Sequence, residues 1–180
     1  PVIQKLRELK MRVVAVNPRT LDEVFRAIQV IGDACGADAA ARRTVDGLKA
    51  RVAAVESKTA VTPADSRPRV FVEIWNDPLM TAGAGTFVDD LVKRAGGRNI
   101  VGHIDGWPQI SPETVISAHT DVVILTCFNR AEVMARHEWR KVPAIVQGRV
   151  FEVHPDLMVR PGPRLVDGLE TLAGLFAGAQ

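Results

Sequence analysis

Cysteine is scarce in this 180-residue chain: Cys35 and Cys127 are its only two. They permit one disulfide at most and show no metal-ligand spacing, so the first expectation is a pair of free, buried thiols. Neither sign of charge dominates. Lys plus Arg number 23 against 21 for Asp plus Glu, a formal charge of +2, which argues against a densely basic nucleic-acid face. No apolar run approaches the ~20 residues that span a bilayer. The four histidines (His103, His119, His137, His154) form no i, i+4 pair and no His-Glu motif, so a metal site has weak support. There is no nucleophile elbow, no paired-acid arrangement and no basic partner for Cys127. These absences leave a non-enzymatic protein as the expectation. No signal segment opens the chain either. It starts at Pro1-Val2-Ile3-Gln4-Lys5-Leu6 in what reads as the middle of an amphipathic helix, with Val2, Leu6 and Leu9 on one side, as expected of a processed or shortened piece.

What is present has the makings of a folded α/β chain, 47% apolar and 24% charged. Arg12 to Val16 reads as a short buried strand, broken by Asn17-Pro18. Thr20 and Glu23 have the spacing of a capping box. They open a helix with Val24, Phe25, Ile28 and Ile31 on one face, expected to stop at Gly32. A longer helix, from about Asp38 to Thr59, carries a single thin stripe of Val45, Leu48, Val52 and Val55. At ~1.5 Å per residue it makes a rod of about 33 Å, able to lie against two bodies at once. Thr62 to Pro68 is the best boundary.

Beyond it the pattern is regular. Arg69 to Trp75 is a strand; Thr86 caps a helix that ends at Gly96-Gly97; Ser111-Pro112-Glu113 opens another. Asp121 to Thr126 reads as a fully buried parallel strand. Ala131 to about Trp139 is helical. Ala144 to Val146 and Arg149 to Val153 are expected as short strands around a Gln147-Gly148 turn, and a last helix runs from Arg164 to the end. Strands alternating with helices imply an α/β layer structure. Residues 67–180 form the expected C-terminal lobe, 37–66 the long helix and linker, and 1–36 a partial N-terminal lobe.

Ligands of open α/β sheets sit beyond the carboxyl ends of the strands. There the sequence places Ile74 to Met80, Cys127 to Arg130 and His154 to Arg160, with the loop His103 to Gln109 nearby. Trp75, Met80, Trp107, Phe128 and Met158 thus fall on loops, where large apolar side chains must cover something. Lobe-to-lobe packing is one reading, and a wide apolar pocket for a flat or bulky ligand is the other. Thr81-Ala82-Gly83-Ala84-Gly85-Thr86 lacks the Gly-Lys-Ser/Thr ending of a phosphate loop, so its glycines are assigned to a tight approach to the helix. Glu113 stands in a helix's first turn, where the macrodipole alone favours an acid. An exposed acid at that place also suits an arginine on a docking protein.

Four segments in register resemble the helical-backbone class of periplasmic substrate-binding proteins: Asp77 to Gly83, Gly96 to Ile100, Trp107 to Ser111 and Arg160 to Arg164. That class carries cobalamin, haem or ferric siderophores to ABC importers, and has two α/β lobes joined by one long helix. Trp107-Pro108-Gln109 followed by Glu113 is most similar to the cobalamin-binding branch. The resemblance implies that Trp107 lines a corrin pocket and Glu113 docks on the membrane permease. Met80 stands where the family has an aromatic, and Trp75 replaces a small residue. Trp75, Met80, Trp107, Phe128, Asn129 and Arg160 are therefore the expected ligand contacts, with no catalytic, metal or resident cofactor group. The setting implied is periplasmic or lipid-anchored, and the shortened first lobe implies association of copies. Siderophore binding would draw on Arg130 and Arg160. Haem would need a histidine, since the chain has no tyrosine. An α/β interaction domain without a small ligand is the alternative from another class.

Overall fold

The computed structural model describes residues 2–178. Pro1 and residues 179–180, into which the first and last helices were expected to extend, lie outside the described residues. Four parallel strands form the sheet: β1 (Arg69–Glu73), β2 (Arg98–Asn99), β3 (Val122–Leu125) and β4 (Val150–Glu152). Their order is β2-β1-β3-β4, with Val70 opposite Val122 and Leu125 opposite Glu152. Around it stand α1 (Val2–Glu8), α2 (Leu21–Ala34), α3 (Asp38–Thr59), α4 (Phe87–Arg94), α5 (Pro112–Ser117), α6 (Arg130–Ala135), α7 (Pro143–Val146) and α8 (Leu165–Ala177).

Side chains alternate across a strand, and here both faces are covered. Val70, Val72, Val122 and Ile124 pack with α4 and α8 and the apolar stripe of α3. Phe71, Val123, Leu125 and Val150 pack on the other side with Val115, Val133 and Trp139, whose ring meets Phe71 edge-on at 5.9 Å. The third tryptophan is therefore core. At the sheet's lower end Asp121 takes two hydrogen bonds from the Arg69 guanidinium, both 2.8 Å. Burial works against that carboxylate's charge, yet Arg69 and its backbone N–H hold its pKa below the ordinary value.

The long helix α3 touches α2, α4 and α8. Gly32 is not a stop. It lies inside α2 because a Cβ there would overlap Ala41 of α3; the helix ends instead at Cys35, followed by Gly36 at φ +71°. Ile31 is exposed rather than on the packed face. Thr20 caps α2 by accepting from Glu23 N–H at 3.2 Å, while the Glu23 carboxylate accepts from Arg19 N–H at 2.7 Å, one residue earlier than a capping box requires. Arg94 ties three helices together through Asp22 (2.6 Å), Glu56 (2.7 Å) and Asp90 (3.0 Å).

Two expected strands do not form. Residues 12–16 are irregular, and Val14 and Val16 are exposed, because no strand among the described residues lies beside them to complete a ladder. Residues 144–146 belong to α7, with Pro143 at its first turn, and Gly148 at φ +66° returns the chain to β4. Cys35 is exposed and Cys127 half-buried; both are free thiols.

Candidate functional site

Each strand of a parallel sheet leaves its carboxyl end open to the next loop. The loops after β1, β3 and β4 meet here around a cavity of about 790 Å³. It is lined by Ile74, Trp75, Asn76 and Asp77, by Thr126 to Asn129, and by Glu132, Pro155 and Val159. Trp75 and Phe128 form its aromatic walls at 58% and 56% exposure. Trp75 is steadied by its indole N–H, which donates to Asp77 O at 2.9 Å. Phe128 sits at φ +51°, strained for a bulky residue, with its ring edge-on to His154 at 5.9 Å. Thr126 Oγ1 donates to Glu73 O and the Cys127 thiol to Ile74 O, both at 3.0 Å, sewing the β3 loop to the β1 loop.

Beneath the walls lies a charged network that sequence reasoning missed. Glu73, fully buried at the last position of β1, accepts from Asn129 Nδ2 at 2.6 Å and from Arg136 Nη1 at 3.0 Å. Arg136 also donates to Asn76 Oδ1, and its guanidinium stacks 4.5 Å from the Trp139 ring centroid. Asn76 Nδ2 in turn donates to Glu132 at 2.8 Å. The one signal in the sequence is an acid, Glu73, inside the apolar run Val70-Phe71-Val72-Glu73-Ile74. Nothing marks Arg136, 63 residues away in the chain.

Of the expected ligand contacts, the structure brings Trp75, Phe128 and Asn129 into one cavity. Trp107 lies outside that lining, 42% exposed and edge-on to Phe87 at 5.7 Å. Met80 is half-buried and pairs through its backbone with Trp75 and Gln109. Arg160 points to solvent and pairs with Asp156 at 3.0 Å; Arg130 donates to Val150 O at 2.8 Å. Met158 is fully buried core rather than a cleft residue. Glu113 is exposed in the first turn of α5, its carboxyl held below the ordinary range by a hydrogen bond from Ser111 and its own backbone N–H. Burial pushes the Cys127 thiol up, away from the thiolate a nucleophile requires. Among the described residues no group of three or more His, Cys, Asp or Glu could hold a metal ion, and no helix is long and apolar enough to cross a membrane.

The glycine-rich loop before α4 is a packing device. A Cβ on Gly83 would overlap the Ile104 carbonyl oxygen, and Gly83 and Ala84 N–H donate to Gly106 O (2.8 Å) and Ile104 O (2.7 Å). These amides, with that of Thr81 donating to Pro108 O at 3.0 Å, are spent on the neighbouring loop.

The described residues thus form an α/β layer structure with a cavity at the strand ends and a long helix packed against α2, α4 and α8. The family described as "Periplasmic binding protein" matches residues 3–157; the chain belongs to this family, whose members bind solutes and are not enzymes. It is 30% identical over 174 residues to the uncharacterized ABC transporter substrate-binding lipoprotein YvrC of Bacillus subtilis, covering 95% of this chain and 55% of that one. It is 31% identical over 186 residues to the cobalamin-binding protein of Halobacterium salinarum, covering 97% and 49%. The chain thus spans about half the length of these relatives. The solved periplasmic vitamin B12 binding protein BtuF of Vibrio cholerae superposes with a TM-score of 0.84 at 22% identity, covering 99% of this chain and 70% of that one. The periplasmic heme-binding protein RhuT of Roseiflexus superposes at 0.86 and 23%, covering 98% and 71%. These two likenesses define the fold.

Proposed function

We propose that this chain is the ligand-capturing part of an ABC importer and that its cleft takes a bulky, neutral metal chelate of the corrinoid type. One observation carries the choice of ligand: the cavity has two aromatic walls and two acids, Asp77 and Glu132, while no Lys or Arg lines it. Haem propionates and the ferric catecholate or carboxylate siderophores present anionic groups that are met by cations, whereas a ferric hydroxamate is neutral and is separated from a corrinoid by titration. The peripheral amides of a corrin present N–H donors, which carboxylate and amide oxygens accept. The arginines that would serve an anionic ligand, Arg130 and Arg160, are engaged elsewhere.

In this reading residues 67–180 are one lobe, 37–66 the inter-lobe helix and linker, and 1–36 part of a second lobe, in an extracytoplasmic setting. Glu113, exposed and held ionised, offers its charge to an arginine on the permease. The exposed strip of Met11, Val14 and Val16 supports association of copies, an apolar strip being costly to leave in water.

Tryptophan fluorescence titrated with cyanocobalamin, haem and a ferric hydroxamate tests the ligand. Saturable quenching by cyanocobalamin is expected, weakened about tenfold or more in Trp75→Ala and Phe128→Ala. Binding of haem alone, with a spectral shift abolished in His154→Ala, overturns the corrinoid reading.

A further inference from the structure

Phe128 stands at φ +51°, a left-handed conformation that costs a bulky L-residue free energy and persists only where its surroundings impose it. They do so here from both sides. Before it, Thr126 N–H and Oγ1 both donate to Glu73 O, at 3.1 and 3.0 Å, and the Cys127 thiol donates to Ile74 O at 3.0 Å. After it, Asn129 Nδ2 donates to the buried Glu73 carboxylate at 2.6 Å, and Arg130 N–H donates to Glu152 at 2.9 Å. Between these anchors the Phe128 ring lines the cavity, 56% exposed and edge-on to His154 at 5.9 Å. An aromatic left more than half exposed gains only part of its burial free energy in return, and a glycine would take this conformation without strain. Strain held in place beside a cavity, with little return to the fold, points to a use at the cavity.

We propose that Asn129, through its bond to buried Glu73, is a positioning residue that locks Phe128 in this strained conformation, so that the aromatic wall of the cleft is set before any ligand arrives. A ring held in this way favours a ligand with a rigid, flat face over a flexible one, because little ordering is left to be done on binding. The Glu73 charge is itself held by Arg136 Nη1 at 3.0 Å, which ties the anchor of Phe128 to β1 and to the end of α6 at once. This inference rests on the cleft being the ligand site; it adds which part of the wall is preset and which residue presets it.

Two variants that remove the same ring read the strain. At an ordinary position alanine is the more stable of the two, since glycine has more freedom to lose; at a left-handed one glycine is. In urea unfolding, Phe128→Gly is therefore expected to outlast Phe128→Ala, and this lead should shrink or reverse once Asn129→Ala has removed the anchor. Binding is read by tryptophan fluorescence with cyanocobalamin, in a double-mutant cycle. Asn129→Ala is expected to weaken it about tenfold with Phe128 in place and less than about twofold in Phe128→Ala, because the asparagine acts through the ring. Thr126→Val loosens the other side of the loop, leaves the Glu73 ion pair intact, and takes the place of Asn129→Ala if that variant does not fold. Phe128→Ala at least as stable as Phe128→Gly, or a glycine lead unchanged by loss of the anchor, overturns the proposal. So do equal losses of binding in the two backgrounds, which would make Asn129 a direct ligand contact. No binding of cyanocobalamin by the parent sinks the corrinoid reading, and the order in urea then decides this one alone. Binding without a glycine lead does the reverse.

Discussion

Val13-Val14-Ala15-Val16 and Val122-Val123-Ile124-Leu125 are nearly the same string of side chains. The second is the central strand of the sheet, entirely buried, with β1 on one side and β4 on the other. The first is irregular, with Val14 at 53% and Val16 at 44% exposure. The β-branched residues suit either place equally well. What separates them is the supply of neighbours: a strand's N–H and C=O groups need a ladder on at least one edge, and β propensity reports mostly how a side chain packs in that setting. Only residues 122–125 have the ladder.

The sharpest way to break this comparison is to shorten one side chain in each string. Ile124→Ala should cost about 3 kcal/mol in urea or guanidinium unfolding, through lost burial and the cavity left behind. A loss below about 1 kcal/mol would mean that the sheet is not the stable centre of the molecule. An intermediate effect belongs to the joint between the two regions. Arg94→Met removes the bridge from α4 to Asp22 and Glu56 and should cost about 2 kcal/mol. Hydrogen exchange should show the amides of 21–34 opening first; uniform loss of protection across α2 and the sheet would contradict that division. The smallest effect is expected at the exposed string. Val14→Ser with Val16→Ser should change stability by no more than about 0.5 kcal/mol, while light scattering reports a lower apparent mass if a second copy covers this strip. An unchanged mass with a large stability loss would show that the strip packs within its own chain.

Much of the fold was legible because the residues that decide it act locally. The apolar spacing of Val45, Leu48, Val52 and Val55 defines α3, whose bounds agree with the expectation at both ends. Thr86 accepts from Asp89 N–H at 3.2 Å as an N-cap should, and the Leu165, Leu169, Leu172 and Phe176 stripe is buried. Local signals failed where distant partners decide. Gly32 looked like a helix end, yet Ala41 of the next helix is what requires a glycine there. Ala144 to Val146 read as a strand, yet Ile145 packs beside Trp139 and Val142 as part of α7.

The candidate site divides along the same line. From the order of strands and loops alone, Trp75, Phe128 and Asn129 were expected at one sheet edge, because a parallel α/β layout sends every strand's carboxyl end to the same side. That much is a matter of topology, and topology follows from periodicity and turn residues. Tertiary packing alone decided that Met158 goes inward, that Arg160 turns to Asp156, and that Trp107 rests on Phe87 outside the cavity. It also decided that Glu73, Arg136, Asn76 and Asn129 become one network. A hydrogen bond spanning 56 or 63 residues of chain leaves no periodic trace in the sequence; it exists only once the packed core has brought its two ends within 3 Å.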